Sequence, residues 1–324
     1  MKWKDRLLSS SLPLEYEVGK ILTSNNFFID YDYTYKRYDE DLEKEFSIDI
    51  KAGGYYPFEI NSSIKITVDL LVECKYRNPN VSWLFIQDIN IDEFSNFSSK
   101  GVIKVIDEFT EIFSKNSFNT FPICETCLKG MEVNIQNGEV HDQGIIHGIN
   151  QLVYSIPALL NSHIRAALWN KNDEVFPYII CPILVTTAEL RIINDDFSIN
   201  GLEKAKSIEE ISQVVPFLKV YSDVYPSFEK HCQNIFEGIP DTSQLNQLER
   251  LVNLRKIRFD EKGNIDTKRM YKQPLDLLDG LQNGFGMDLF RETLVCNFDH
   301  FPELLKEIKD EIANIEDGFE KIEL

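Results

Sequence analysis

Glu73 and Lys75 stand at the end of residues 66–75, an apolar segment with the composition of a β-strand. Because side chains alternate between the two faces of a strand, both charged groups project from the face opposite to most of its apolar residues. Charged side chains are rarely placed in a core strand without a partner or a task. Asp49 repeats this arrangement in the preceding segment, residues 46–52, which also alternates. These residue types at this spacing predict a shared site on two neighbouring strands.

The chemistry that such a site favours is hydrolysis assisted by a metal ion. Asp49 and Glu73, together with Glu15 from an earlier helix, can form an all-oxygen pocket, which Mg²⁺ prefers and in which Mn²⁺ can substitute. We expect the backbone carbonyl of Cys74 to be a further ligand. A cation held there polarises a phosphoryl oxygen and eases deprotonation of an attacking water. Lys75 would orient that water and stabilise the negative charge that develops at the phosphorus.

The elements that must position these residues follow from hydrophobic periodicity. Residues 14–22 predict a first helix, and three strands are predicted after it, over residues 27–38, 46–52 and 64–75. In the second strand the apolar face is predicted to comprise Phe46, Ile48 and Ile50. Gly53 and Gly54 predict a turn after that strand.

The rest of the chain continues the alternation of helices and strands. Helices are predicted at residues 101–113 and 148–160, and a buried strand is predicted at 178–187. A helical stretch at 208–215, a strand at 292–297 and an acidic amphipathic helix from Phe301 onwards are predicted to follow. This order implies an α/β fold with a mixed sheet flanked by helices.

Asp49 and the triplet Glu73-Cys74-Lys75 resemble the signature of the PD-(D/E)XK, or restriction-endonuclease-like, nucleases. The resemblance covers residues 14–187 and implies a core of a helix, three strands, a helix and a strand. It implies that a glutamate of the first helix joins the site, for which Glu15 suits the pattern better than Glu17. It also implies that Gln151, on the second core helix, orients the lysine or the DNA.

The resemblance implies an Mg²⁺-dependent endonuclease that cuts DNA, double-stranded by family analogy, in a bacterial restriction or antiphage system. Residues 1–200 are the predicted nuclease core, with an insertion around residues 80–145, and residues 201–324 are a predicted C-terminal α/β extension packed on the same domain. The sequence departs from the family in two respects. Ile48 stands where many members have proline before the aspartate, and the stretch before the Gln151 helix is long.

The net charge of −19 argues against a simple non-specific nucleic-acid binder, because lysine and arginine supply most of such affinity. Residues 250–272 are locally basic, so a basic surface on an acidic protein is one interpretation of them, and a solvated charge run is the other. The charge also suggests recruitment by self-assembly or by a regulatory protein partner. No signal-peptide or bilayer-spanning segment is predicted, so a cytoplasmic location without membrane contact is expected.

Cys124 and Cys127 have the spacing of half a zinc site, which Cys181 or His141 would have to complete in space. The bare acidic-x-Lys triplet is itself unspecific, since it recurs at Asp49/Lys51, Asp260/Lys262, Asp266/Lys268 and Glu307/Lys309. Two other functions therefore stay open beside a DNase. One is a catalytically silent scaffold or binding subunit with the same fold, and the other is a nuclease for RNA or branched DNA in repair.

Overall fold

The fold is a mixed β-sheet with helices packed on both faces. The computed structural model describes residues 2–39, 42–59, 62–89, 102–107, 110–111, 124–169, 178–223, 226–239, 280–282 and 287–322. Within these residues thirteen strands join into one sheet. The α/β class with a mixed sheet flanked by helices is confirmed.

The helices and strands include the predicted first helix, the three strands after it, the Gln151 helix, the strand near residues 178–187, the strand at 292–297 and the C-terminal helix, together with elements that were not predicted. The helices are α1 Lys2–Ser9, α2 Leu12–Ser24, α3 Gln143–Trp169, α4 Ile199–Lys204, α5 Pro226–Phe236 and α6 Phe301–Ile322. The strands are β1 Phe28–Asp39, β2 Leu42–Tyr56, β3 Ile66–Lys75, β4 Val81–Gln87, β5 Lys104–Asp107, β6 Thr110–Glu111, β7 Thr126–Asn134, β8 Val140–His141, β9 Tyr178–Thr186, β10 Glu189–Ile193, β11 Ser212–Val214, β12 Phe217–Tyr221 and β13 Glu292–Asn297. Short 3₁₀ helices lie at Ile208–Glu210, Met287–Phe290 and Phe298–His300.

The sheet has the strand order β1-β2-β3-β9-β13-β12-β7-β4-β10-β11. Strands β1, β2 and β3 are antiparallel neighbours, whereas β9 is parallel to β3. A parallel neighbour requires a crossover, and α3 lies within the chain segment that makes it. Strands β12 and β13, from the C-terminal part of the chain, lie in the same sheet between β9 and β7.

Two hydrophobic clusters cover the two faces of this sheet. The first cluster contains buried residues of α3 and α5, and the second contains buried residues of α2 and α6. In β3 the alternation divides the side chains between them, since Leu71 belongs to the first cluster and Leu70 and Val72 belong to the second. The strand therefore presents Glu73 on the side of α3.

Three predicted elements were wrong. Residues 101–113 contain the strands β5 and β6 instead of a helix, and Val102, Ile103 and Ile106 are buried there. The sequence pattern of a short apolar run is compatible with a helix or with a strand. Here the segment is a strand because β5 pairs with β9. Residues 208–215 form a 3₁₀ turn and β11, because the edge of β10 offers Ser212–Val214 an antiparallel partner.

Gly53 and Gly54 lie inside β2 and not in a turn. A Cβ atom on Gly54 would come within 2.9 Å of the Phe27 ring and 3.2 Å of the Phe58 ring. The glycine therefore serves close packing of two aromatic rings. The predicted apolar face of β2 also needs correction, because Ile48 packs in the first cluster and Ile50 in the second.

Two further observations concern the partners expected from the sequence. Residues 250–272, the basic segment, lie outside the described residues. Among the helices that are described, none combines the length and the apolar character that a bilayer span requires.

The buried carboxylate of Asp69 on β3 contacts side chains of both α3 and β2. Asp69 is buried, and its carboxylate lies 2.6 Å from Nε2 of His163 and 3.5 Å from Nζ of Lys51. The His163 ring stacks on Tyr178 with 4.5 Å between ring centroids. The cluster joins three elements of the core through a single side chain.

We expect Asp69→Ala to lower the free energy of unfolding by roughly 1–3 kcal/mol, because the half-buried cation of Lys51 and the ring of His163 lose their carboxylate partner. Asp30→Ala is the matched control, since Asp30 is 3.9 Å from the same Lys51 but its side chain is 72% exposed. Urea denaturation of both variants checks this. Equal effects at the two positions would contradict the assignment.

Candidate active site

The candidate site lies where β2 and β3 separate. Their antiparallel pairing runs from Tyr56 opposite Ile66 to Ile50 opposite Val72, and Asp49 and Glu73 come directly after the last pair. Each carboxylate accepts a hydrogen bond from the backbone of the other strand. The Asp49 N–H donates to Oε2 of Glu73 at 3.4 Å. The Cys74 N–H in turn donates to Oδ2 of Asp49 at 2.6 Å. These reciprocal bonds hold both carboxylates at the fork.

Lys75 is fixed by groups from two elements. Its Nζ contacts Oε1 of Glu73 and lies 3.3 Å from Oε1 of Gln151 on α3. Gln151 also donates from Nε2 to the carbonyl of Ser47 at 3.1 Å, so that it links the lysine to β2. Gly148, one turn earlier on α3, lets the helix pack closely on β9, since a Cβ there would come within 2.7 Å of Cδ1 of Leu184.

Burial and mutual repulsion raise the pKa values of the carboxyl groups. Glu73 is 1% exposed, and burial, then the charge of Asp49, raise its pKa from 4.5 to about 7, although Lys75 opposes the shift. Burial also raises the pKa of Asp49, against the hydrogen bond from Cys74 and the charge of Lys75. A carboxylate pair with one buried and one partly buried member favours a proton or a cation between the two groups.

Glu15 of α2 lies near enough for the charge of Asp49 to act on it, but the described residues do not bring Glu15, Asp49 and Glu73 together as the predicted three-carboxylate pocket. The pKa of Glu15 is raised to about 7 by burial, then by the charges of Asp49 and Asp32. Glu17, the fallback assignment, is exposed and pairs with Lys20 at 3.2 Å. The start of α2 is held beside β3, because Oγ of Ser11 accepts a hydrogen bond from the N–H of Tyr76 at 3.1 Å.

Asp32 is an acidic neighbour that the sequence reasoning missed. It lies opposite Asp49, between the pairs Tyr31/Ile50 and Tyr33/Ile48, and its φ of 55° is left-handed. Such a backbone angle is uncommon for a residue other than glycine, although aspartate tolerates it better than most. At this same point the alternation of β2 is interrupted, because Ile48 packs in the first hydrophobic cluster and Ile50 in the second. No local pattern in the sequence distinguishes Asp32 from the other polar residues of β1.

The donor set fits Mg²⁺ through two carboxylates and water. Among the described residues, no three Asp, Glu, His or Cys side chains form a group that could hold a metal ion without other ligands. Mg²⁺, however, usually keeps several waters and binds proteins through one or two carboxylates. Asp49 and Glu73 supply such a pair. Cys74 takes part through its N–H, and its carbonyl stays a predicted ligand.

Cys124 and Cys127 do not form a zinc site with any described residue. Both are free thiols, and burial raises the pKa of each to about 12. A zinc ligand is a thiolate, which burial of this kind disfavours. Cys181 is fully buried and belongs to the second cluster, whereas Cys127 belongs to the first.

Gln151 acts on the site through Lys75, as a positioning residue. We expect Gln151→Ala to lower the cleavage rate roughly tenfold with little change in the unfolding free energy, because Lys75 loses a neutral anchor while the core stays packed. Asn150→Ala, the adjacent position on α3, is the control, and a steady-state cleavage assay measures both. A rate equal to that of Asn150→Ala would remove Gln151 from the site.

The site therefore joins Asp49, Glu73, Lys75 and Gln151 through direct contacts, and Glu15 through its electrostatic effect. The electrostatic effect of Asp32 on Glu15 and Asp49 could be recognised only in the folded structure. Comparisons with protein-family models, with curated proteins and with solved structures found no match for the chain. Membership of the PD-(D/E)XK nucleases stays a prediction from the residues.

Proposed function

We propose that this protein is a metal-dependent phosphodiesterase that hydrolyses the backbone of DNA. The observation that carries the proposal is the convergence of Asp49, Glu73 and Lys75 at the fork of β2 and β3. An ammonium group in contact with the buried carboxylate of Glu73, beside the partly buried carboxylate of Asp49, is a costly arrangement for a structural element. Such groups concentrate at functional sites, where their shifted pKa values have a use.

Each residue has a distinct role in the proposed reaction. Asp49 and Glu73 would hold Mg²⁺, which when bound supplies a Lewis acid for the phosphoryl oxygen and lowers the pKa of a coordinated water. Lys75 orients the attacking water and stabilises the charge that grows on the phosphoryl oxygens. The attacking water forms the new P–O bond and releases a proton to solvent, while the bond to the leaving oxygen breaks and that oxygen takes up a proton from solvent. Gln151 keeps the Lys75 ammonium directed at the site.

The topology supports the same proposal. The sequence of elements α2, β1, β2, β3, α3 and β9, with β9 parallel to β3, has the order that the PD-(D/E)XK resemblance implies for a nuclease core. Residues 1–200 as the core, with the insertion at 80–145, and 201–324 as the extension remain part of the proposal. The implied setting, a bacterial restriction or antiphage system, belongs to it as well.

A cleavage assay with purified protein tests the function. We expect supercoiled plasmid DNA to be cut in the presence of Mg²⁺ or Mn²⁺ and to stay intact when EDTA is added. Parallel digestions of duplex, single-stranded and branched DNA and of RNA identify the substrate. Preferential cleavage of RNA would replace DNA in the proposal. No cation-dependent cleavage of any of these substrates, in any assembly state, would leave a catalytically silent scaffold or binding subunit.

The acidity of the chain bears on its partners. With a net charge of −19 the protein as a whole repels nucleic acid, so we propose that self-assembly or a regulatory protein helps to recruit DNA. Size-exclusion fractions assayed at physiological salt check this. A monomer that degrades DNA as fast as every larger assembly would contradict it.

A further inference from the structure

The first helix, α1, differs from the rest of the described chain in charge and in burial. It carries Lys2, Lys4 and Arg6 against a single acidic residue, Asp5, on a protein of net charge −19. None of its residues is buried. Among the described residues no ion pair involves its three basic side chains. A helix that contributes so little to the core needs another reason for its exposed positive charge.

The position of α1 connects this charge to the candidate site. The helix ends at Ser9, and the chain turns through Ser10, whose N–H donates to the carbonyl of Arg6 at 3.2 Å. The next residue, Ser11, accepts the hydrogen bond from Tyr76, the neighbour of Lys75. Glu15 follows one turn later in α2. The basic helix therefore extends from the edge of the carboxylate site.

Exposed aromatic side chains accompany the basic ones. Trp3 on α1 is 63% exposed, and Tyr16, beside Glu15 on α2, is 60% exposed. Aromatic faces next to lysine and arginine are typical of surfaces that bind nucleic acid, where the cations contact phosphates and the rings contact sugars or bases. The eight residues of α1 span about 12 Å, the rise of three to four nucleotides along one strand.

We infer that α1 is a substrate-binding helix, in which Lys2 and Arg6, one turn apart on the same face, contact the phosphates of the nucleic acid that enters the candidate site. The inference rests on the proposed function for the identity of the ligand. It accounts for local attraction of a polyanion to an acidic protein, because charges within a Debye length of about 8–10 Å act on a phosphate while distant ones are screened. A lipid surface would not explain why the chain after the end of α1 contacts Tyr76, next to Lys75.

Binding to a fluorescein-labelled DNA duplex tests the inference by fluorescence anisotropy at several salt concentrations. The full chain carries Lys75→Met so that the probe stays intact, with or without Lys2→Ala and Arg6→Ala together. The matched control is Lys204→Ala with Lys206→Ala, two exposed lysines in and just after α4, next to the β10–β11 edge. We expect the α1 variant to bind roughly tenfold more weakly, and its salt slope to fall by about 0.9 for each lost phosphate contact.

Two results of the binding experiment would overturn the inference. Affinity and salt slope equal to those of the control, or absence of DNA binding before the change, would remove α1 from substrate binding. Vesicles of phosphatidylserine and phosphatidylcholine form a second arm, in which binding that depends on α1, with unchanged DNA affinity, would identify a membrane-binding helix instead. Cleavage by the unmodified protein is measured separately. If the unmodified protein cuts DNA but the α1 substitutions leave DNA affinity unchanged, only this inference is refuted. If the protein binds DNA through α1 but does not cut it, only the proposed function is refuted.

Discussion

We expect the Lys75→Met variant to cleave DNA about 10²–10³ times more slowly than the unmodified protein, while its affinity for DNA stays within a few-fold. Methionine fills a similar volume but cannot donate a hydrogen bond to water or phosphate. The loss should appear in the rate constant of cleavage at saturating DNA, because the ammonium group acts on charge that develops in the transition state. Single-turnover cleavage with excess protein measures this rate.

Lys51→Met is the control for this experiment. Lys51 lies on the neighbouring strand, is 23% exposed against 21% for Lys75, and pairs at 3.5 Å with a buried carboxylate of β3, that of Asp69. The two lysines thus share burial, strand context and an acidic partner, but only Lys75 contacts Glu73 and Gln151. If both substitutions slowed cleavage equally, a structural role would explain Lys75 as well.

Glu73→Gln is expected to abolish cleavage and yet to stabilise the metal-free protein above pH 7. The folded-state pKa of Glu73 is about 7 against an ordinary 4.5, so the folded protein keeps a proton that the unfolded chain has lost between these values. Stability therefore falls as the pH rises from 4.5 to 7, and the full cost of the buried charge is present above 7. Removing that charge should gain roughly 1–3 kcal/mol at pH 8, and the gain should disappear near pH 4.5.

Urea denaturation in EDTA at pH 5 and pH 8 measures this difference. Glu17→Gln is the control, because Glu17 lies on the exposed side of α2 and should give the same stability difference at both pH values. Added Mg²⁺ should stabilise the unmodified protein at pH 8 but leave Glu73→Gln unchanged, since only the former keeps both carboxylates. A Glu73→Gln variant that is destabilised equally at both pH values would contradict the assignment.

The sequence predicted most of the elements that hold the site. Alternation over residues 66–75 was sufficient to assign Glu73 and Lys75 to one face of β3, because the two-residue period of a strand is a local property. The helical spacing of Leu14, Val18 and Leu22 located α2 in the same way, and all three side chains are buried. The helix over residues 148–160 and the strand over 178–187 were also found, within longer or slightly shorter bounds.

The predictions failed where distant partners decided the outcome. The strands at 101–113 depend on the edge of β9, which no local window contains. The packing role of Gly54 depends on the rings of Phe27 and Phe58. Short segments have nearly equal local preferences for two states, so that a tertiary contact of modest free energy selects one of them.

The residues capable of chemistry could be identified without coordinates, since carboxylates and a lysine at strand spacing are properties of the chain. Their electrostatic state, in contrast, depends on folding. Asp49 and Glu73 are 24 positions apart, and Lys75 and Gln151 are 76 apart. The raised pKa of Glu73, and the effect of Asp32 on Glu15 and Asp49, arise because folding removes water and brings like charges together. Neither effect exists until the strands pair.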